Sequence, residues 1–294
     1  MTTRPIAIGA NQTAGAQTER RAVDWAGLSL TGLIALGALA WLFPIYWAVA
    51  TSLTPEDDVV SKGLRIFPLN PTLGGYLDIL EKSNIVMWYF NSVAIALVVT
   101  FATLAICLAC AYALSQVDFP GRRYLFLILA ASVMVPMEAL VINHFVLMNA
   151  FGFINTWAGV ILPQIVAPAS VIIFKQFFDQ IPKDYAEAAR MDNAGHFKIF
   201  LKIYVPMNWG VITAIGITTF IACWNNFLWP FLVANTPSTM TVPVGVTQVH
   251  DLFGLHFARD MALAMLAALP VTVLYLIFQN RITQAIMLSA GIKG

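Results

Sequence analysis

Charge is what this sequence lacks. Its 294 residues include 16 lysines and arginines and 15 aspartates and glutamates, 11% in all, where an ordinary soluble domain is about a quarter charged. Hydrophobic residues make up 59% and the mean hydropathy is +0.77, so the composition calls for lipid as the solvent. A formal net charge of +1 gives none of the basic stripe by which a nucleic-acid-binding domain declares itself. Cysteine is scarce too. Cys107, Cys110 and Cys223 all lie in apolar runs, which argues against a secreted disulfide framework. The Cys107-Leu-Ala-Cys110 spacing puts two small side chains on one face of a membrane helix, and no strand-rich redox domain surrounds it. Nor is there a G-x-x-x-x-G-K-[ST] loop anywhere in the chain, so any nucleotide chemistry has to be supplied from elsewhere.

What is present is a series of apolar runs. A helix needs about 20 consecutive apolar residues to cross about 30 Å of hydrocarbon, and the scarce charges mark the boundaries. The first run, Ala26 to Ala50, ends before Glu56, Asp57 and Asp58; the second, Ile85 to Val117, lies between Lys82 and Asp118. From Tyr124 to Phe174 the one formal charge is Glu138. That stretch is too long for a single crossing and divides at Phe151-Gly-Phe-Ile-Asn-Thr156 into a third and a fourth helix. A fifth lies between Ile203 and His250 and ends at the turn residues Asn235-Thr-Pro-Ser-Thr239. Met261 to Asn280 makes the sixth. The expectation is an all-α integral membrane protein with six transmembrane helices. A barrel would need alternating apolar and polar residues, which these runs do not show. Residues 23–294 form its transmembrane domain, and residues 1–22 are expected to be a flexible cytoplasmic tail. Pro136, Pro163, Pro168 and Pro270 are expected to bend helices, and Trp41, Trp47, Trp88, Trp157 and Trp229 to anchor at the interfaces.

Orientation follows from lysine and arginine, which are retained on the cytoplasmic side. With the N-terminus inside, twelve fall inside: Arg4, Arg20, Arg21, Arg122, Arg123, Lys175, Lys183, Arg190, Lys198, Lys202, Arg281 and Lys293. Four fall outside: Lys62, Arg65, Lys82 and Arg259. Both termini are then cytoplasmic. Ala48-Val-Ala50 offers a signal-cleavage pattern after the first run, but a signal core is 7–15 residues and this run is about 25, which favours an uncleaved first helix.

One charged segment interrupts the oil. Residues 179–206 place Pro182 at a helix start and Asp184 and Glu187 near the positive end of its dipole. Tyr185, Ala188 and Ala189 then share one face, an aromatic knob beside two tiny residues. Asn193 is the residue expected to stop that helix in a left-handed conformation, with Gly195 just beyond. A second short helix follows, with Phe197, Phe200, Leu201 and Tyr204 on one side and Lys198 and Lys202 carried away from it. Such a helix–turn–helix at the cytoplasmic surface is read two ways: an amphipathic loop lying on anionic lipid, or a docking element for a cytoplasmic partner.

Glu187-Ala-Ala189, Asp192 and Ile203-Tyr-Val-Pro206 resemble the EAA motif in permease subunits of ATP-binding-cassette (ABC) importers. Phe43-Pro-Ile-Tyr-Trp47, Phe90-Asn-Ser92, Ala111-Tyr-Ala-Leu114 with Phe119-Pro-Gly-Arg122, Trp224-Asn-Asn-Phe-Leu-Trp-Pro230 and Ala290-Gly-Ile-Lys-Gly294 resemble the maltose-type carbohydrate-uptake branch. Two positions depart from the pattern: Asn193 stands where the family has glycine, and Val205 where it has leucine. The resemblance implies a type I ABC importer permease in the bacterial inner membrane. It also implies a cytoplasmic coupling helix pair between helices 4 and 5. Residues carried over onto that pair are Tyr185, Glu187, Ala188, Ala189, Asp192, Asn193, Gly195, Ile203 and Pro206. Implied partners are a second homologous permease, two ATPase subunits that bind ATP and Mg, an extracytoplasmic solute-binding protein and membrane lipid. No cofactor or catalytic residue is implied for this chain.

Polar groups inside the spans are the candidates for a translocation path. An ionisable group in the membrane is costly, which singles out Glu138, with Asn143 and His144 one to two turns on. Trp224, Asn225 and Asn226 offer amides and an indole, suited to a sugar's hydroxyls and apolar face. Against these stand plainer readings: Glu138 neutral or paired within the bundle, His144 a hydrogen-bonded packing residue, and the tryptophan and amides bonding helix to helix. No second histidine lies at metal-ligand spacing from His144. An ion- or proton-coupled secondary transporter using Glu138 is the rival function, but such carriers show inverted repeats, and the charged insertion has no copy in the first half.

Overall fold

The computed structural model describes residues 25–62, 66–249 and 256–289, and the regular elements among them are all helical. In chain order they are α1 (Trp25–Ser52), α2 (Glu56–Lys62), α3 (Gly74–Lys82), α4 (Ile85–Gln116) and α5 (Arg122–Ser132). A 3-10 turn (Met137–Leu140) leads into α6 (Val141–Ala150). Then come α7 (Trp157–Ile161) with a 3-10 extension (Leu162–Ile165), α8 (Pro168–Asp179), α9 (Lys183–Met191), α10 (His196–Ile199) and a π-helical turn (Phe200–Tyr204). The chain continues through α11 (Val205–Met207), α12 (Trp209–Trp224), α13 (Leu228–Val233), α14 (Val242–Val246) and α15 (Phe257–Ser289). The expected tail at 1–22, Arg65, His250 and the ending Ala290–Gly294 lie outside the described residues.

Three helices are long and apolar enough to cross a membrane alone: Ser29–Ser52 within α1, α4, and Phe257–Gln279 within α15. Three more crossings are helix pairs bent at a break, by 93° between α5 and Met137–Ala150, 45° between Trp157–Ile165 and α8, and 80° between His196–Met207 and α12. The six spans are those expected; the third and fourth are broken within their apolar stretches, whereas the 80° bend at Asn208 stands before α12. Residues up to Tyr46 form one unit and those from Trp47 onward another. In the first, α1 leaves Leu33, Leu36 and Trp41 exposed, as a helix turned to lipid does.

In the second unit α4 is the central post, with α8 and α12 packed along it. Its 32 residues contain neither glycine nor proline and rise about 48 Å at 1.5 Å each. The packed stripe is built of small side chains: Ala96, Thr100, Thr103, Cys107 and Ala111 are all buried, which lets backbones approach where burial of oil gives no advantage over lipid. Thr100 Oγ1 donates to Ala96 O within its own helix at 2.7 Å. Thr103 and Cys107 instead face the break before Pro168, donating to Ile165 O at 3.4 Å and Ala167 O at 3.5 Å. Cys107 is therefore a packing thiol at a broken helix. Cys110, expected on the same face, is exposed, because an i, i+3 step leaves it around the edge of the packed stripe.

Two anchoring tryptophans turn out to be core. Trp88 is buried, donates Nε1 to Pro237 O at 3.2 Å, and lies so close to Gly245 that a Cβ there would enter its ring. Beside it, buried Asn91 donates to Ser238 O and Met240 O, both at 2.9 Å, and Ser92 Oγ accepts from Val242 N at 2.7 Å. The Asn-Ser pair thus straps the 235–242 loop to α4. Trp229, also buried, donates Nε1 to Gly159 O at 3.1 Å.

Proline does what lipid-embedded helices require of it. Pro270 lies inside α15; lacking an N–H, it frees the carbonyl four residues back and crowds its neighbour. Tyr89 Oη donates to Leu266 O, and Trp224 Nε1 donates to Ala267 O at 3.2 Å. Pro136 and Pro168 stand at the 93° and 45° breaks, and Pro163 within a 3-10 turn.

Candidate functional site

Two of the breaks, those of the third and fourth spans, meet at one cavity beside the far end of α12. It measures about 150 Å³ and is walled by Glu138 and His144 from the third span, Pro163 and Gln164 from the fourth, and Asn226 and Trp229 from just past the fifth. Its depth follows from helix lengths. The halves of the third and fourth spans on one side of their breaks are α5 and α8, of 11 and 12 residues, or about 16 to 18 Å of rise. They start from one membrane surface: Ser115 at the end of α4 donates Oγ to Asp179 Oδ1 at 2.6 Å, and Arg122 Nη2 donates to Ser115 O at 2.9 Å. The breaks therefore lie about midway across the hydrocarbon.

The cavity's polar groups are held, not loose. Asn226 Nδ2 donates to Gln164 Oε1 at 2.9 Å, and Gln164 Nε2 donates to Val160 O at 2.8 Å, a carbonyl left over where α7 gives way to a 3-10 turn. Asn226 Oδ1 accepts from Trp229 N at 3.4 Å, and His144 meets the Trp229 ring edge-on at 6.0 Å. The carboxylate of Glu138, on a 3-10 turn and exposed, stands at the rim. Broken helices lining a cavity are where irregular backbone is tolerated in a membrane, and where cargo sites are built. Acceptors, donors and apolar walls side by side suit a polyhydroxylated ligand.

The sequence-derived path residues divide accordingly. Glu138, His144 and Asn226 come together at the cavity. Asn143, Trp224 and Asn225 are not among its walls: Asn143 and Asn225 are exposed, and Trp224 is buried against Phe220 and Tyr89 with its indole on Ala267. For Trp224 the helix-to-helix role wins. Gln164 escaped the sequence reading, although the rule that picked Glu138, a polar side chain within an apolar run, applies to it equally.

At the surface from which these half-helices start lies the segment 179–206. Asp184 sits in the first turn of α9 and Pro182 immediately precedes it. Asn193 has φ +58°; its N–H donates to Arg190 O at 2.9 Å and that of Ala194 to Ala189 O at 3.0 Å. This pair of bonds is a Schellman closure with Asn193 in the left-handed position. Gly195 is extended and its carbonyl accepts from Ile199 N at 3.1 Å, starting α10. On the outer face Tyr185, Glu187, Ala188 and Asp192 are exposed, as is Met191 at 88%, while Ala189 is half-buried. Small Ala188 thus sits between larger exposed neighbours, leaving a shallow saddle.

The inner face departs from expectation. Phe197 and Leu201 are exposed, and the buried residues are Ile199 and Tyr204, with Phe200 and Ile203 half-buried; Pro206 is exposed. A regular helix would have turned Phe197, Phe200, Leu201 and Tyr204 to one side. The π-helical turn adds a residue per turn and rotates the pattern, so Ile199 and Tyr204, five apart, share the inner face. Tyr204 is wedged among aromatics, 5.2 Å from Tyr112 and 5.4 Å from Phe178 between ring centroids, and its hydroxyl is buried without a hydrogen-bond partner among the described residues. Tyr112 also packs against Phe200, its ring tilted by 51°, and pairs its hydroxyl with His196 Nδ1 at 3.3 Å. Through Tyr112 the segment is seated directly on the central post, α4.

Six spans, two of them broken at one mid-membrane cavity, and a docked helix–turn–helix at the surface define a membrane translocation subunit. Residues 85–287 match the family model for the binding-protein-dependent transport system inner membrane component. The chain belongs to that family, the permease subunits of ABC importers. It is 31% identical to the arabinooligosaccharides transport system permease protein AraQ of Bacillus subtilis, over 91% of this chain and 96% of that protein. It is equally 31% identical to the trehalose transport system permease protein SugB of Mycobacterium tuberculosis, over 94% and 99%. In fold it is similar to a chain of a bacterial ABC transporter that imports the acidic polysaccharide alginate, with a TM-score of 0.80 and 21% identity over 87% of this chain and 95% of that one. The fold is that of a type I importer permease.

Proposed function

We propose that this subunit carries a carbohydrate or oligosaccharide across the bacterial inner membrane, with ATP and Mg bound and ATP hydrolysed by two separate cytoplasmic ATPase subunits. A second permease of the same kind completes the path, and an extracytoplasmic solute-binding protein loads it. Both termini lie in the cytoplasm in this reading, which the distribution of lysine and arginine supports. The observation that carries the reading is the cavity at which two spans break beside the end of a third, with an amide pair, an imidazole and a carboxylate offered to hydroxyl groups. Residues 179–206 dock on the ATPase: Tyr185, Glu187 and Ala188, with Met191 and Asp192, present the contact face, and Asn193, Gly195, Ile203 and Pro206 shape the turn and the second helix behind it. The named carbohydrate relatives support the cargo class. Glu138, His144 and Asn226, joined by Gln164, are assigned to the path.

The test is uptake by vesicles holding the complete complex. Uptake of labelled oligosaccharide is expected only with internal ATP and both ATPase subunits present. Undiminished uptake driven by a proton gradient in vesicles lacking the ATPase would overturn the reading.

A further inference from the structure

We propose that the chain binds the phosphodiester headgroup of an acidic phospholipid in a notch between the start of α5 and the end of α8. The notch is a cavity of about 430 Å³ to which Arg122, Arg123 and Lys175 contribute three cations and Phe119, Tyr124 and Phe126 aromatic walls. It lies where three spans reach the membrane surface: α4 ends at Gln116, α5 begins at Arg122 and α8 ends at Asp179. That depth is where headgroups sit, and tyrosine and basic side chains are at home there. Immediately below, α5 buries no residue; Tyr124, Leu127 and Ile128 are 73%, 53% and 66% exposed, a greasy track for an acyl chain.

Two of the cations are fixed in place. Arg122 donates Nη1 to Asp118 Oδ1 at 3.0 Å and Nη2 to Ser115 O at 2.9 Å, using one edge of its guanidinium to close the end of α4. Lys175 Nζ donates to Asp179 Oδ2 at 2.6 Å and lies 5.0 Å from the centre of the Phe126 ring. An ammonium has three N–H groups and a guanidinium five, so both retain donors for another acceptor. Arg123 is exposed and makes no ion pair among the described residues. Three cations against the two carboxylates Asp118 and Asp179 leave one positive charge, the match for a phosphodiester. A soluble phosphate would satisfy the same donors, but it has no use for the apolar track beneath. Together the surface depth and that track favour the lipid.

The assembled complex, stripped of lipid in detergent, would be exchanged into phosphatidylcholine vesicles with or without phosphatidylglycerol, re-extracted, and its retained phosphatidylglycerol counted by native mass spectrometry. Preferential retention is expected, falling about fivefold for each cation removed in Arg123→Gln and Lys175→Gln. Lys198→Gln/Lys202→Gln, on the same membrane surface but outside the notch, is expected to change retention little. Equal loss in that control variant would mean only a general surface charge and would overturn the site. So would a complex in phosphatidylcholine alone that is stabilised against heat by inorganic phosphate in an Arg123-dependent way, since that marks a soluble-anion site. Arg123 is exposed, so its substitution leaves folding intact, and unchanged retention in Arg123→Gln would also overturn the proposal.

Discussion

Asn193 holds φ at +58° and closes α9 with two backbone bonds. Glycine reaches this conformation at no steric cost and asparagine is among the few other residues that do so readily, which explains how the turn is kept without a glycine at this position. A β-branched residue meets its own carbonyl there and costs about 1–2 kcal/mol. Asn193→Gly is therefore expected to transport like the parent. Asn193→Val should open the Schellman closure, tilt α9 away from α10, and lower ATP-driven uptake by roughly tenfold, the equivalent of that strain. The measurement is uptake with ATP hydrolysis followed in parallel; a valine variant as active as the parent would mean that the turn is not what couples the two helices. This residue was legible from the sequence because the constraint is local. Gln164 was not given its role, because its significance lies in a partner 62 residues away, Asn226.

At the scale of elements, the informative features are the breaks. The number of spans could be read from hydrophobic length, and the loop between the third and fourth from Gly152 and Asn155, whose φ values are +70° and +58°. The π-helical turn could not, because a register shift of one residue leaves composition untouched while exchanging which side chains face inward. Nor could the partners of the proline-freed carbonyls. Around Pro270 the arrangement is specific enough to test by a double-mutant cycle. Tyr89→Phe removes the donor to Leu266 O and strands a carbonyl in an apolar setting, at a cost of about 1–3 kcal/mol. In a Pro270→Ala background the helix recovers its own N–H for that carbonyl, so the same change should cost less than half as much. Thermal unfolding of the four detergent-solubilised complexes reads the cycle, and equal costs in both backgrounds would show that Tyr89 is not compensating for the proline.

For the whole molecule, the division between the cavity at mid-membrane and the segment at its surface predicts two kinds of failure. Under the proposed function the cavity contacts cargo and the segment contacts the motor. Asn226→Leu removes the amide that bonds Gln164 and Trp229, leaving the cavity drier and Gln164 Oε1 without its donor. Losing one positioned hydrogen bond of about 1 kcal/mol should slow uptake roughly fivefold while ATP hydrolysis stays responsive to the loaded binding protein, because Tyr112, Tyr204 and the seat of the segment on α4 are untouched. Ala188→Trp acts in the opposite order. It fills the saddle beside Tyr185 and Met191 with a bulky ring, so ATP hydrolysis should lose its response to the binding protein and uptake should fall with it. Detergent-extracted cargo binding should be unaffected, since α9 and the cavity are separated by the length of a half-helix. The two phenotypes are distinguished by measuring hydrolysis and uptake in the same vesicles. If Asn226→Leu abolishes the hydrolytic response as completely as Ala188→Trp, the cavity and the segment form one mechanical unit and the assignment of Asn226 to cargo is lost.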